Sequence, residues 1–160
     1  MSRYEELSSL ERSRLQREEN FWRPLQDAAG NTVRAFEAFL ELPEKTYDLQ
    51  GKKERYVSLG LCQDGEFKEL RPFLLPGADW AIPFAIAVTV ETAPHAYPKR
   101  RVAVSCEALY DEHSLLICIE PGRESEERVH ITTPDSYQAV AEGIYRVVES
   151  ILNVEYPLPQ

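Results

Sequence analysis

The pattern of apolar positions divides the chain into a helical beginning, a middle with strand periodicity and a helical end. Residues 4–20 are rich in Glu, Arg and Leu and carry a narrow apolar stripe at helical spacing: Tyr4, Leu7 and Leu10. Pro24 suits the first turn of a second helix, which we expect to run to about Leu42, where Pro43 stops it. We therefore predict two N-terminal helices within residues 1–42.

From residue 55 onward, apolar and polar residues alternate with a period of two, which favours strands. In the clearest run, residues 80–90, large side chains occupy the even positions and small ones the odd positions. Close packing of a helix on the small side, or exposure of that side to solvent, would each explain this alternation. Pro83 places part of the strand at a sheet edge or beside a bulge. Turn sequences separate the strands, so we predict an antiparallel meander over residues 55–132.

A last helix is predicted at residues 134–152, with Thr133 as its cap and Pro134 in its first turn. Its apolar residues recur every three or four positions, which is typical of a helix packed by one face. They are Tyr137, Val140, Ala141, Ile144, Val147, Val148, Ile151 and Leu152. The order of elements predicts one α+β domain over residues 1–160, a two-layer sandwich with the last helix on the sheet.

Composition narrows the classes of function that need to be considered. The 160 residues carry a net charge of −9, which disfavours nucleic acid and anionic membranes and suits a basic protein partner. The charged N-terminal residues argue against a signal peptide, and the lack of a long apolar run argues against a membrane span. The three cysteines form no CxxC pair. We expect a cytoplasmic protein with free thiols. We predict no cofactor and no metal, because glycine-rich phosphate loops are missing and no two histidines have zinc-ligand spacing.

The segment YDEHSLLICIEP, residues 110–121, holds the strongest candidates for chemistry. Cys118 lies in an apolar run, and His113 precedes it by five residues. Cys118 is either a nucleophile assisted by His113 or a small apolar side chain in the core, where free cysteines are common. In an extended chain the two residues would be far apart unless the turn folds back. The spacing leaves both alternatives open.

Three motifs within residues 84–152 follow one another in a distinctive order. They are a Tyr97-Pro98 loop, a segment Ile117-Cys118-Ile119-Glu120 after a turn, and a helix that starts at Thr133-Pro134. This part of the chain resembles the core of ubiquitin-conjugating enzymes of the bacterial type. The resemblance implies that Cys118 carries a ubiquitin-like protein as a thioester received from an activating enzyme, and that His113 orients or assists. The His-Pro-Asn triplet of that family is missing near residues 108–110, where it would stabilise the oxyanion.

Two hypotheses therefore come from the sequence. The first is a ubiquitin-conjugating-like enzyme with Cys118 and His113 in its catalytic site. The second is a non-enzymatic acidic binding module, of the chaperone or immunity type, that holds a basic client protein with its sheet or helices. The enzyme hypothesis predicts that Cys118 is exposed and reacts with maleimide faster than Cys62 or Cys106.

Overall fold

The computed structural model describes residues 2–159 and begins with one long helix, α1, at Arg3–Leu40. Ser2 caps it by accepting a hydrogen bond from the Glu5 backbone N–H at 3.1 Å, and Glu5 accepts one in return from the Ser2 backbone. The prediction of two helices is wrong, because α1 continues through Pro24. An interior proline costs about 3 kcal/mol, and the packing of Phe21 and Leu25 against the core on either side of Pro24 offsets that cost.

A small hairpin follows α1, between the predicted N-terminal helices and the predicted strands. Strands β1, Thr46–Leu49, and β2, Lys52–Arg55, pair antiparallel. Gln50 and Gly51 join them with positive φ angles of 51° and 82°, the backbone of a tight hairpin turn. Periodicity missed these strands because each has four mostly polar residues.

The main sheet has six strands in the order β4-β3-β5-β6-β7-β8, which confirms the predicted antiparallel sheet. It is not a simple meander, because β5 pairs with β3 and leaves β4 at the edge. A 3₁₀ turn, Pro72–Leu74, lies between β4 and β5 and packs against α1. The strands are β3, Val57–Gln63; β4, Glu66–Glu69; β5, Ala81–Val90; β6, Arg100–Asp111; β7, Ser114–Ile119; and β8, Glu127–Ile131.

The second helix, α2, spans Ser136–Leu152 and begins two residues later than predicted. Both helices pack on one face of the sheet, α1 over β3, β5 and β6 and α2 over β6, β7 and β8. The two-layer α+β prediction is confirmed. At Gly143 α2 comes so close to β7 that an added Cβ would lie 2.5 Å from the Ile119 Cδ1 atom.

Strand β5 turns its large side chains toward the helices. Ile82, Phe84, Ile86 and Val88 belong to the core with residues of α1 and α2, so the small side chains lie on the opposite, outer face. The helices therefore do not approach the small side. Pro83 lies in the part of β5 that β3 does not reach, since pairing with β3 covers only Ala85 to Val88. The predicted edge position of Pro83 is confirmed.

Candidate functional site

Cys118 lies on β7, on the outer face of the sheet. Its neighbours Ile117 and Ile119 point into the core beneath the helices, and alternation turns Cys118 the other way. The register places Cys118 between Glu107 of β6 and Arg128 of β8. Side chains directly opposite one another on a sheet lie in contact distance, and the exposed fraction of Cys118 is 1%.

The chemistry predicted for Cys118 needs an accessible thiol and a nearby histidine. Burial raises the pKa of the Cys118 thiol; Arg128 opposes this effect, while Glu107 and Glu126 add to it. His113 is exposed in the turn between β6 and β7, at the opposite end of β7. Five residues of extended chain span roughly 16 Å, so the structure does not bring His113 and Cys118 together.

The other two thiols differ sharply in exposure. Cys106 of β6 is buried in the core, where burial and then the nearby Glu120 and Cys118 raise its thiol pKa. Cys62, near the end of β3, is exposed. Cys62 is thus the exposed thiol, whereas the enzyme hypothesis predicted that Cys118 is exposed and reacts with maleimide faster than Cys62 or Cys106.

A polar cluster beside the predicted Tyr-Pro loop was not foreseen. Lys99, with only 6% of its side chain exposed, forms an ion pair with Glu91 and donates a hydrogen bond to the Ala96 carbonyl at 3.1 Å. The Tyr56 hydroxyl donates to both Glu91 carboxylate oxygens at 3.0 and 3.1 Å. The ammonium lies 4.4 Å from the centre of the Tyr97 ring and 5.2 Å from that of Tyr47.

These contacts satisfy the groups of the Lys99 cluster within the chain. The hydrogen bond with Lys99 lowers the pKa of Glu91, and the same bond raises the pKa of Lys99. The Tyr97 hydroxyl donates to the Asp48 carbonyl, which ties the loop to the β1–β2 hairpin. With its cation paired to Glu91 and in contact with the Tyr47 and Tyr97 rings, the cluster fastens the loop to the rest of the chain. No sequence signal connects these residues, because they come from four separate segments.

A groove lies where the C-terminal ends of α1 and α2 pass over the end of β5. We call it the helix groove; it is open and has a volume of about 530 Å³. Val88 and Val90 of β5 contribute to its lining, and Tyr145 and Leu152 of α2 are more than 40% exposed beside it. The full lining is Phe36, Leu40, Val88, Val90, Tyr145, Val148, Glu149, Leu152 and Asn153.

The electrostatic character of the helix groove is negative. Glu149 is the only charged residue in its lining. The carboxyl end of a helix carries a partial negative charge, and neither α1 nor α2 has a basic residue in its last turn to offset it. The sequence signal for this site was the apolar stripe of the last helix, which ends without Lys or Arg and which we expected to pack on the sheet.

Comparison of the chain with models of protein families, with curated proteins and with solved structures found no match. Within residues 2–159, no three histidine, cysteine or carboxylate residues are grouped so that they could hold a metal ion. None of the helices in this same part of the chain combines the length and the apolar character needed to cross a membrane. The helix groove combines an apolar lining with two helix carboxyl ends that have no basic residue in their last turns.

Proposed function

We propose that the protein is a non-enzymatic binding module that holds an apolar, basic segment of another protein in the helix groove. The observation that carries this proposal is an apolar groove at two helix carboxyl ends that have no basic residue in their last turns. Apolar side chains of the partner would enter between Leu40 and Leu152. Lysine or arginine side chains beside them would meet Glu149 and the helix ends.

The charge of the rest of the protein supports a basic partner. Residues 1–23 contain five arginines and five glutamates, so the whole net charge of −9 resides in residues 24–160. An acidic surface raises the rate at which a basic partner arrives and weakens the approach of acidic ones.

The chain's own C-terminal tail does not suit the helix groove. Residues 153–160 directly follow α2 and contain Val154, Tyr156 and Leu158, but their only charged residue is Glu155. The same helix ends and Glu149 that would attract a basic segment would repel this tail. The three apolar side chains are more than half exposed instead of covering the groove.

The conjugating-enzyme hypothesis remains a prediction from the resemblance. It requires that a bulky protein carboxyl terminus reach the Cys118 sulfur. The burial of Cys118 and its separation from His113 count against that requirement, so we place binding ahead of catalysis.

Fluorescence anisotropy with labelled synthetic peptides tests the proposal. The first probe is an amphipathic peptide of leucine and lysine, and its counterpart replaces every lysine with glutamate. We expect the lysine peptide to bind. Leu152→Arg should weaken that binding at least about tenfold, since 1.4 kcal/mol corresponds to one such factor. Leu158→Arg is the matched control, because this exposed leucine lies outside the groove.

A second pair of variants separates the groove from the general acidity of the protein. Glu149→Lys and Glu124→Lys change the net charge equally, but Glu124 lies in the exposed loop between β7 and β8, outside the lining of the groove. The proposal expects a much larger loss of affinity for Glu149→Lys. Equal losses for both variants, or equal binding of the glutamate peptide, would overturn it.

A further inference from the structure

We infer that the chain forms an antiparallel homodimer through the first half of α1. This segment, residues 3–20, is called the projecting half because every residue in it is exposed. At 1.5 Å per residue it extends about 27 Å. The inference concerns a different surface from the helix groove and does not rest on the proposed function.

The projecting half continues the core-facing side of α1. Eighteen residues make five turns of an α-helix, so residues separated by eighteen positions point in the same direction. Tyr4, Leu7 and Leu10 therefore lie on the same side of α1 as the residues eighteen positions later. Those residues are Trp22, Leu25 and Ala28, which pack in or against the core. The exposed fractions of the first three are 77%, 63% and 62%. An apolar side built to pack thus continues past the core, and none of residues 2–159 covers Tyr4, Leu7 or Leu10.

The charges of the projecting half favour a second copy of the chain as its occupant. Because residues 1–23 have no net charge, they offer no preference for a basic or an acidic partner. On the core-facing side, however, Glu11, Arg14 and Glu18 occupy the positions that follow Leu7 at helical spacing. Arg14 bridges both carboxylates within one helix, at 2.7 and 2.9 Å. An acid, a base and an acid in series form a pattern that can complement itself.

Only the antiparallel arrangement uses this complementarity. In a parallel pair each of the three charged residues would lie opposite the same residue of the second chain. Like charges would then lie directly opposite each other and repel. In an antiparallel pair, the register that places Glu11 beside Arg14 of the second copy produces that ion pair twice. The same register places Leu7 against the methylene groups of Glu18. It also holds the two acidic bodies at opposite ends of the helix pair, where their repulsion is weakest.

The same register brings the second copy close to Trp80, an exposed tryptophan beside the end of the projecting half. Tyr4 of one copy arrives beside Phe21 of the other. The Phe21 ring already lies edge-to-face against Trp80, with centres 5.5 Å apart, and Trp80 is 75% exposed. A specific dimer needs about 800 Å² of buried surface per partner. The helix stripe and this aromatic cluster together supply the apolar part of that surface.

Light scattering coupled to gel filtration tests the dimer. We expect twice the chain mass of 18.4 kDa at high micromolar concentration. Leu7→Glu should return the mass to that of one chain. Ser9→Glu, on the opposite side of the helix, should leave the dimer intact. Both positions are exposed in the single chain, so neither change should alter the circular dichroism. A single-chain mass for the unaltered protein would overturn the inference.

Disulfide trapping tests the orientation, in a Cys62→Ser background that removes the exposed native thiol. Leu7→Cys and Glu18→Cys chains are oxidised separately and as a mixture. In the antiparallel register equivalent positions lie about 16 Å apart, eleven residues along the helices, so each variant alone should stay uncrosslinked. The mixture should crosslink. Crosslinks between like chains only, in the separate samples and in the mixture, with none joining a Leu7→Cys chain to a Glu18→Cys chain, would show parallel helices and refute the register.

Discussion

The order in which the three cysteines react with a thiol reagent is the most direct test of how this fold treats Cys118. Cys62 is exposed and should react at once. Cys106 lies in the core under the helices, so its sulfur becomes accessible only when the protein unfolds. Cys118 lies on the outer face with Glu107 and Arg128 as its cross-strand neighbours. We therefore expect movement of side chains on that face to expose it without unfolding of the protein. We expect the order Cys62, then Cys118, then Cys106.

The size of the protection follows from these structural differences. Domains of this kind are stable by at least about 5 kcal/mol, which corresponds to roughly a 5,000-fold slower reaction at a site that needs global unfolding. Cys106 should reach this limit. Cys118 should fall between Cys106 and Cys62, and its burial-raised pKa slows it further because the thiolate is the reactive form. Maleimide labelling followed by peptide mass analysis measures each site separately.

Shortening the flanking side chains sharpens this test. Glu107→Ala with Arg128→Ala should raise the labelling rate of Cys118 toward that of Cys62, while the rate of Cys106 stays the same. Cys106 thus serves as an internal control for global stability. If native Cys118 reacts as fast as Cys62, the argument from burial is refuted and the thioester hypothesis regains its main requirement.

Three further predictions concern stability. Ile144 is fully buried, so Ile144→Asp should lower the free energy of unfolding by about 3–5 kcal/mol and lower the melting temperature clearly. The exposed Ser150→Asp is the control and should leave the melting temperature nearly unchanged. An unchanged melting temperature for Ile144→Asp would contradict the docking of α2. A chain that begins at Phe21 should keep a cooperative melt because residues 3–20 are exposed, and losing that melt would show that they support the core. The lowered pKa of Glu91 means that its ionised form stabilises the fold above the ordinary glutamate pKa and that this stabilisation disappears as pH falls through the lowered value. Glu91→Gln should therefore lower the melting temperature at neutral pH, and the gap to the unaltered protein should close in acid; a constant gap would contradict the ion pair with Lys99.

The sequence by itself determined the strands of the sheet and the nature of α2. Period-two alternation comes from the geometry of an extended chain, so it revealed the strands before any contact was known. It did not reveal that β5 pairs with β3 and leaves β4 at the edge. The large side chains of β5 showed which residues share a face, and Pro83 was correctly placed at an unpaired stretch. The spacing of Val140, Ile144 and Val148 revealed the buried face of α2 for the same local reason.

Only the tertiary structure decided features that depend on what lies across from a residue. Pro24 favours a helix start locally, yet α1 continues through it, because Phe21 and Leu25 on either side of Pro24 pack against the core. The alternation around Cys118 fixed its face but not its neighbours, and Glu107 and Arg128 come from other strands. The Lys99 cluster and the helix groove likewise join segments far apart in the chain. Their chemistry arises from distances that no local period encodes, because only the tertiary fold brings these side chains together.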